Sequence, residues 1–389
     1  MKWRKFKAGA LFTGTEVLPS DRVLITDEQG MIHSIVHADE AGDDVLVLDG
    51  LLSPGFVNTH CHLELSHMKG KVAPGTGLID FLITVIRERT ATPELVQEAM
   101  QQAATELYQS GTVAVGDICN TADSARLKEG SNIQWKSFIE VLGFNEGNAA
   151  ERLQFARHVQ DQFTTPATLS PHAPYSVSSA LFHLINEAAA GEVVTVHNQE
   201  THAENELYQH KTGDFFRLYN NLSINAETFQ PSGKSSLQTY LPWLNKAANL
   251  LLVHNTFIHE EDILFSKTQH PVSPDLFFCT CINANKYITS QVPPLDLFRK
   301  HACQLTLGTD SYASNNQLNI LEEIRTIQQA FPHILLSEVL RWATHNGARA
   351  LQLDHQLGTF EKGKQPGVVL ISDVQDGRLT KESKAMRVI

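Results

Sequence analysis

The sequence predicts an α/β protein built on a (β/α)8 barrel, with a small β-sandwich module formed by its two ends. Three observations predict it. Between residues 55 and 354, short apolar runs alternate with helix-like stretches. Both ends are instead strand-rich and punctuated by turn residues. Four of the central apolar runs also end in a residue able to bind a metal, as strands converging on one mouth of a barrel would.

The elements follow in order. Residues 1–54 alternate short strands with turns: Arg22–Thr26 leads into the turn residues Asp27-Glu28-Gln29-Gly30, and Met31–Val36 resumes the strand pattern. The opening MKWRKFKAG has the basic character of a signal peptide, but the apolar stretch behind it, ALFTG, is too short, so it is expected to belong to the fold. Residues 55–354 are assigned to the barrel. Its clearest helix runs from Thr92 to Gln109, with Thr92 as N-cap, Pro93 at the first helical position and Gly111 just past the end; Thr112–Val115 then reads as the next strand. In residues 355–389, Gly363, Pro366 and Gly367 precede the β-rich run Val368–Ile371, which is expected to share a sheet with the N-terminal strands.

Length and charge limit the functions available. A chain of 389 residues accommodates a barrel of roughly 250–300 residues with a smaller module. The net charge of −12 argues against a nucleic-acid partner, which would call for a basic face, and favours a small-molecule substrate. The five cysteines are an odd number without framework spacing, which fits a reducing, cytoplasmic setting. No run approaches the roughly 20 apolar residues needed to span a bilayer, so no membrane partner is expected.

The candidate site comes from the strand ends. The run Pro54–Asn58 leads through Thr59 to His60 and His62, whose two-residue spacing puts both imidazoles on one face of a strand. Val193–Val196 ends in His197, Leu250–Val253 in His254, and Gln304–Thr309 in Asp310. Any one of these is weak evidence alone, because single histidines and capping aspartates are common. Their recurrence at four strand ends favours a metal site. Imidazoles and a carboxylate with an open position suit catalytic zinc, with iron(II) as the other choice. A binuclear site would commonly need a bridging ligand such as a modified lysine from a middle strand, and no lysine lies between Lys136 and Lys211. One ion is expected, held by His60, His62, His197 and Asp310.

Taken together, PGFVNTHCHLELS (54–66), SPHAPYSVS (170–178), VHNQETHAE (196–204), LVHNTFIHEEDI (252–263) and LGTDSYASNNQLNILEEIR (307–325) resemble the amidohydrolase superfamily. Within it they are similar to the chlorohydrolase and aminohydrolase branch, which includes S-adenosylhomocysteine, guanine and aminodeoxyfutalosine deaminases. The resemblance covers nearly the whole chain. It implies a metal-dependent hydrolytic deaminase that releases ammonia from an amino-substituted heterocycle, such as a purine, a nucleoside or an aminodeoxyfutalosine-like compound, through a metal-activated hydroxide.

The same resemblance implies residue roles. Glu200, three residues past His197, would shuttle protons; His254 would hydrogen-bond the attacking oxygen rather than act mainly as a ligand; and Asp310 would both bind the ion and accept a proton. His172 would contact substrate, with a structural hydrogen bond in a loop as the competing reading. Asn285 matches the stretch after the seventh strand in relatives, and Glu64 is closer to aminodeoxyfutalosine deaminases than to adenosine-type enzymes; both are expected at the substrate. Homodimerisation is a family expectation. Hydrolysis of another C–N bond or of a C–Cl bond is the alternative reaction, and a non-catalytic binding protein on the same barrel is a more distant one.

Overall fold

The computed structural model describes residues 2–269 and 275–389. Eight strands form the centre: β1 (Phe56–Cys61), β2 (Thr112–Cys119), β3 (Gln134–Val141), β4 (Ala167–Pro171), β5 (Val193–Asn198), β6 (Asn249–His254), β7 (Asp275–Thr280) and β8 (Gln304–Leu307). Strands β1, β2, β5 and β6 are buried along their whole length, which is why they read as near-continuous apolar runs and not as alternating ones.

All pairings among these strands are parallel. They form two four-stranded arcs, β1 to β4 and β5 to β8, with registers such as Gln134↔Ala114 and Val193↔Asn249. The arcs meet at two seams. At one, the amides of Thr309 and Asp310 donate to the His60 carbonyl at 3.0 and 3.1 Å, and Cys61 bridges Asp310. At the other, the His197 amide donates to the His172 carbonyl at 2.9 Å. The result is the predicted (β/α)8 barrel, with helices packed outside.

The Pro93–Gln109 helix shows how local sequence sets these elements. Thr92 accepts a hydrogen bond from the Leu95 amide at 3.4 Å, Pro93 occupies the first turn, and Gly111 leaves the helix at φ +92° before β2 begins. The strand that follows runs to Cys119, four residues beyond the expected Thr112–Val115, because burial on both faces continues.

Strands from the two ends do share a sheet. Val368–Ile371 pairs antiparallel with Leu51–Pro54, which pairs parallel with Ala10–Phe12, in the order Ala385–Arg387, Val368–Ile371, Leu51–Pro54, Ala10–Phe12, Val17–Leu18. A second sheet contains the hairpin of Arg22–Thr26 with Ile32–His37, whose turn is held by Asp27 Oδ1 accepting from the amides of Gln29 and Met31, both at 2.9 Å. Phe6, Leu11, Leu24, Leu52, Val368 and Leu370 fill the space between the two sheets. No helix of the described residues is long and apolar enough to cross a membrane.

Candidate active site

The strand ends bring the expected residues together. His60 is the last residue but one of β1 and His62 lies just past its end, and their Nε2 atoms are 3.2 Å apart. His197, on β5, has its Nε2 at 3.3 Å from that of His62. Asp310 Oδ1 lies 3.4 Å from His62 Nε2 and 3.7 Å from His60 Nε2. These separations suit a shared ion. With metal–nitrogen bonds of about 2.0–2.1 Å, nitrogens that share one ion lie roughly 3–3.5 Å apart, and the His60–His62 and His62–His197 pairs fall within that range.

The electrostatics favour the same use. Burial pushes the His60 imidazole down to about 4, and burial followed by the neighbouring imidazoles holds His197 well below its ordinary value. Both rings are therefore neutral and have lone pairs to offer. Burial acts to raise Asp310, but contact with His60 and the surrounding imidazoles outweighs it and keeps the carboxylate ionised. The orientations are also fixed. His197 Nδ1 is bonded to the His172 carbonyl at 2.8 Å, which leaves Nε2 free, and Ser314 Oγ donates to Asp310 Oδ2 at 2.5 Å.

Two backbone features make the cluster possible. His254, Asn255 and Asp310 adopt positive φ (71°, 57° and 56°), an uncommon conformation that histidine, asparagine and aspartate accept more readily than most residues. Gly308 is required by packing: a Cβ there would lie 2.7 Å from His60 Cβ and 2.9 Å from the sulfurs of Cys279 and Cys281. The seam beside His60 thus depends on a residue without a side chain.

Glu200 and His254 stand at the edge of the cluster. Glu200 Oε1 is 3.7 Å from His254 Nε2, and burial, opposed by His254, raises the Glu200 carboxyl to about 7. Gln199 turns the chain at φ 45°; its amide donates to Glu204 Oε1 at 2.9 Å and its side chain to Asp262 Oδ2 at 2.8 Å. Glu204 therefore braces the segment that carries Glu200. It makes no contact with the cluster itself.

The cluster opens into a cavity of about 470 Å³. His62, His197, Glu200, His254 and Asp310 line its inner end, with His172 beside them; apolar residues such as Phe81, Phe144, Leu218 and Ile224 line the outer part. Glu64 and Asn285, expected at the substrate, do not line it. Glu64 is buried with its carboxylate on the amides of Asn120 (3.0 Å) and Thr121 (3.2 Å), because the turn after β1 directs it toward the end of β2. Asn285 sits behind His254, its Oδ1 at 3.3 Å from His254 Nδ1 and its Nδ2 bonded to Thr256. Each instead contacts a residue that does line the cavity, Asn120 and His254 respectively.

Sequence reasoning missed Glu140, Asn120 and Arg89, all on the cavity wall. Glu140 stands one residue before the end of β3, the same kind of position that singled out His60, so the strand-end rule applied to every strand would have found it. Asn120 and Arg89 lie in connecting segments and carry no such signal.

The model of the amidohydrolase family matches residues 51–388. The chain belongs to the amidohydrolase family. This is a family of metal-dependent hydrolases, consistent with the cluster of His60, His62 and Asp310 beside His197. Among curated relatives, the aminodeoxyfutalosine deaminase of a Nitratiruptor species is 29% identical over 356 residues, 88% of this chain and 83% of the relative. Two crystal structures share the amidohydrolase fold seen here. That of Helicobacter pylori aminofutalosine deaminase in complex with methylthio-coformycin has a TM-score of 0.82 at 24% identity, covering 99% of this chain and 100% of the other. That of an adenosine deaminase from Xanthomonas campestris with bound zinc has a TM-score of 0.71 at 22% identity, covering 95% and 84%.

Proposed function

We propose that this chain is a hydrolytic deaminase of adenosine-like nucleosides, exchanging the exocyclic amine of a 6-aminopurine for a carbonyl oxygen and releasing ammonia. The observation that carries this reading is Glu200: a carboxyl raised to about 7, beside His254 and facing the His/Asp cluster inside one cavity. A group that exchanges its proton near neutral pH suits delivery to a ring nitrogen. The names of the relatives, which are deaminases of aminodeoxyfutalosine and adenosine, support the same class.

In this reading His60, His62, His197 and Asp310 would hold one divalent ion, zinc or iron(II) being suited to the donor set, with zinc as the ion to test first. When bound, the ion supplies Lewis acidity and lowers the pKa of water toward neutrality. The residues do the rest. Asp310 Oδ1 accepts a proton from the attacking water, its other oxygen being occupied by Ser314. Glu200 protonates the ring nitrogen next to the carbon that bears the amine. His254 Nε2, held toward the cavity by Asn285, stabilises the oxygen as it gains charge. A second transfer through Glu200 and Asp310 lets ammonia depart. The inner position of His172 supports its role as a substrate contact.

The reading includes residues 55–354 as the hydrolase unit and residues 1–54 with 355–389 as one supporting module, acting as a homodimer. The five cysteines, free of disulfides, support a cytoplasmic setting. The deciding experiment incubates zinc-loaded protein with adenosine, 5′-deoxyadenosine, methylthioadenosine and aminodeoxyfutalosine and measures ammonia. Release from at least one is expected. Release from none, with ammonia, chloride or acid appearing instead from triazines or cyclic amides, replaces the reading with the alternative hydrolase.

A further inference from the structure

Glu140 is a buried carboxylate on the cavity wall that the proposed chemistry does not use. Its side chain is 6% exposed. Oε2 accepts a hydrogen bond from Asn120 Nδ2 at 2.7 Å, whereas Oε1 has no hydrogen-bond partner in the protein. The closest ring nitrogens, His197 Nδ1 at 3.7 Å and His172 Nε2 at 3.9 Å, are beyond hydrogen-bond range, and His197 Nδ1 is already committed to the His172 carbonyl.

The carboxylate is nevertheless held in place. Asn120 Oδ1 accepts from the Arg89 guanidinium at 3.4 Å, so its amide nitrogen must face Glu140, and the Asn120 backbone is fixed in turn by Glu64. Arg89 therefore stays one residue away and forms no ion pair with Glu140. An ionised carboxylate offers about four lone-pair sites, and only one is taken here. A buried acceptor with spare capacity calls for a donor, since leaving it unsatisfied is costly. Its charge also disfavours a phosphate or carboxylate alongside.

We infer that Glu140 is a specificity-determining residue whose carboxylate accepts hydrogen bonds from the sugar hydroxyls of the substrate. This rests on the nucleoside reading given above. Glu64, Asn120 and Arg89 then act as positioning residues for that contact.

The test compares kcat/KM for adenosine, 2′-deoxyadenosine and 3′-deoxyadenosine in the zinc-loaded wild type, E140Q and E140A, with zinc content and melting temperature recorded for each. Loss of a hydrogen bond to a charged group predicts that the wild type discriminates against at least one deoxy compound by about 10- to 100-fold. In E140A that ratio is expected to fall below about 3-fold, with E140Q intermediate and both variants folded and metal-loaded. Wild-type turnover without discrimination, or discrimination that survives in E140A, overturns this inference alone and leaves Glu140 as a water-satisfied wall residue. Should E140A fail to fold, E140Q decides by the same ratio. Failure of the wild type on all nucleosides overturns the deaminase reading and this assignment together.

Discussion

His254 faces Glu200 across 3.7 Å with its Nε2, while its Nδ1 lies 3.3 Å from Asn285 Oδ1 on the opposite side. One imidazole therefore joins a carboxyl raised to about 7 to an amide outside the cavity. In the proposed reading Glu200 and His254 act on protons and charge without holding the ion, whereas Asp310 does both, so substitutions at the two kinds of residue are expected to differ in their effect on metal content.

Glu200→Gln removes the shuttle and leaves every proposed ligand in place. Turnover is expected to fall by about 10²–10⁴-fold, the usual worth of a positioned acid or base, with zinc content per chain unchanged by elemental analysis. Full activity in this variant would remove Glu200 from the mechanism.

Asn285→Ala frees His254 Nδ1 without touching the cavity wall. A drop in kcat of about 10-fold is expected, in line with the loss of other orienting partners, with KM little altered because Asn285 does not line the cavity. A change confined to KM would instead return Asn285 to the substrate.

Gly308→Ala forces a Cβ against His60, Cys279 and Cys281. The protein is expected to lose about 1–3 kcal/mol of stability in denaturant melts, as overpacked sites do, together with much of its zinc affinity, because His60 is displaced. An unchanged metal content would show that the seam can shift without moving the ligand.

The pH dependence of stability has a definite sign. Burial raises Glu323 to about 8, against the hydrogen bonds from Asn283 and Asn315, and burial likewise raises Glu64 and Glu204 to about 7. Each binds its proton more tightly folded than unfolded, so its contribution to stability is fully present below the ordinary glutamate range and is lost as pH rises through about 7–8. Melting temperature is expected to fall between pH 6.5 and pH 8.5, above the range in which the buried His60 and His197 gain their protons on unfolding, and Glu323→Gln to flatten that slope. A wild-type curve that rises over this interval would contradict the assignment.

Much of this architecture was legible because one rule serves both fold and site. Parallel strands buried on both faces appear as apolar runs, and their ends point at a shared mouth, so His60, His197, His254 and Asp310 were visible as terminal punctuation. Direction was harder to read. Glu64 lies two residues from His62 in sequence, yet the turn after β1 sends its carboxylate to the amides at 120 and 121. Asn285 was matched by motif, but a motif does not say which face of its helix looks at the cavity. Glu140 occupies the last position but one of its strand, as His60 does, but the half-buried, polar-interrupted run Gln134–Val141 does not read as the continuous apolar run that marked the other strand ends.

Each of the two places where the barrel closes includes a residue that would grip the ion: His60 and Asp310 at one, where the His60 carbonyl meets the Asp310 amide, and His197 at the other, where its amide meets the His172 carbonyl. A divalent ion would therefore act as a clasp across both arcs, tying the first strand to the last as well as to the fifth. Loading the site would then stabilise the closed cylinder by mass action, so that metal supply would bear on how firmly the barrel holds together as well as on how fast it works.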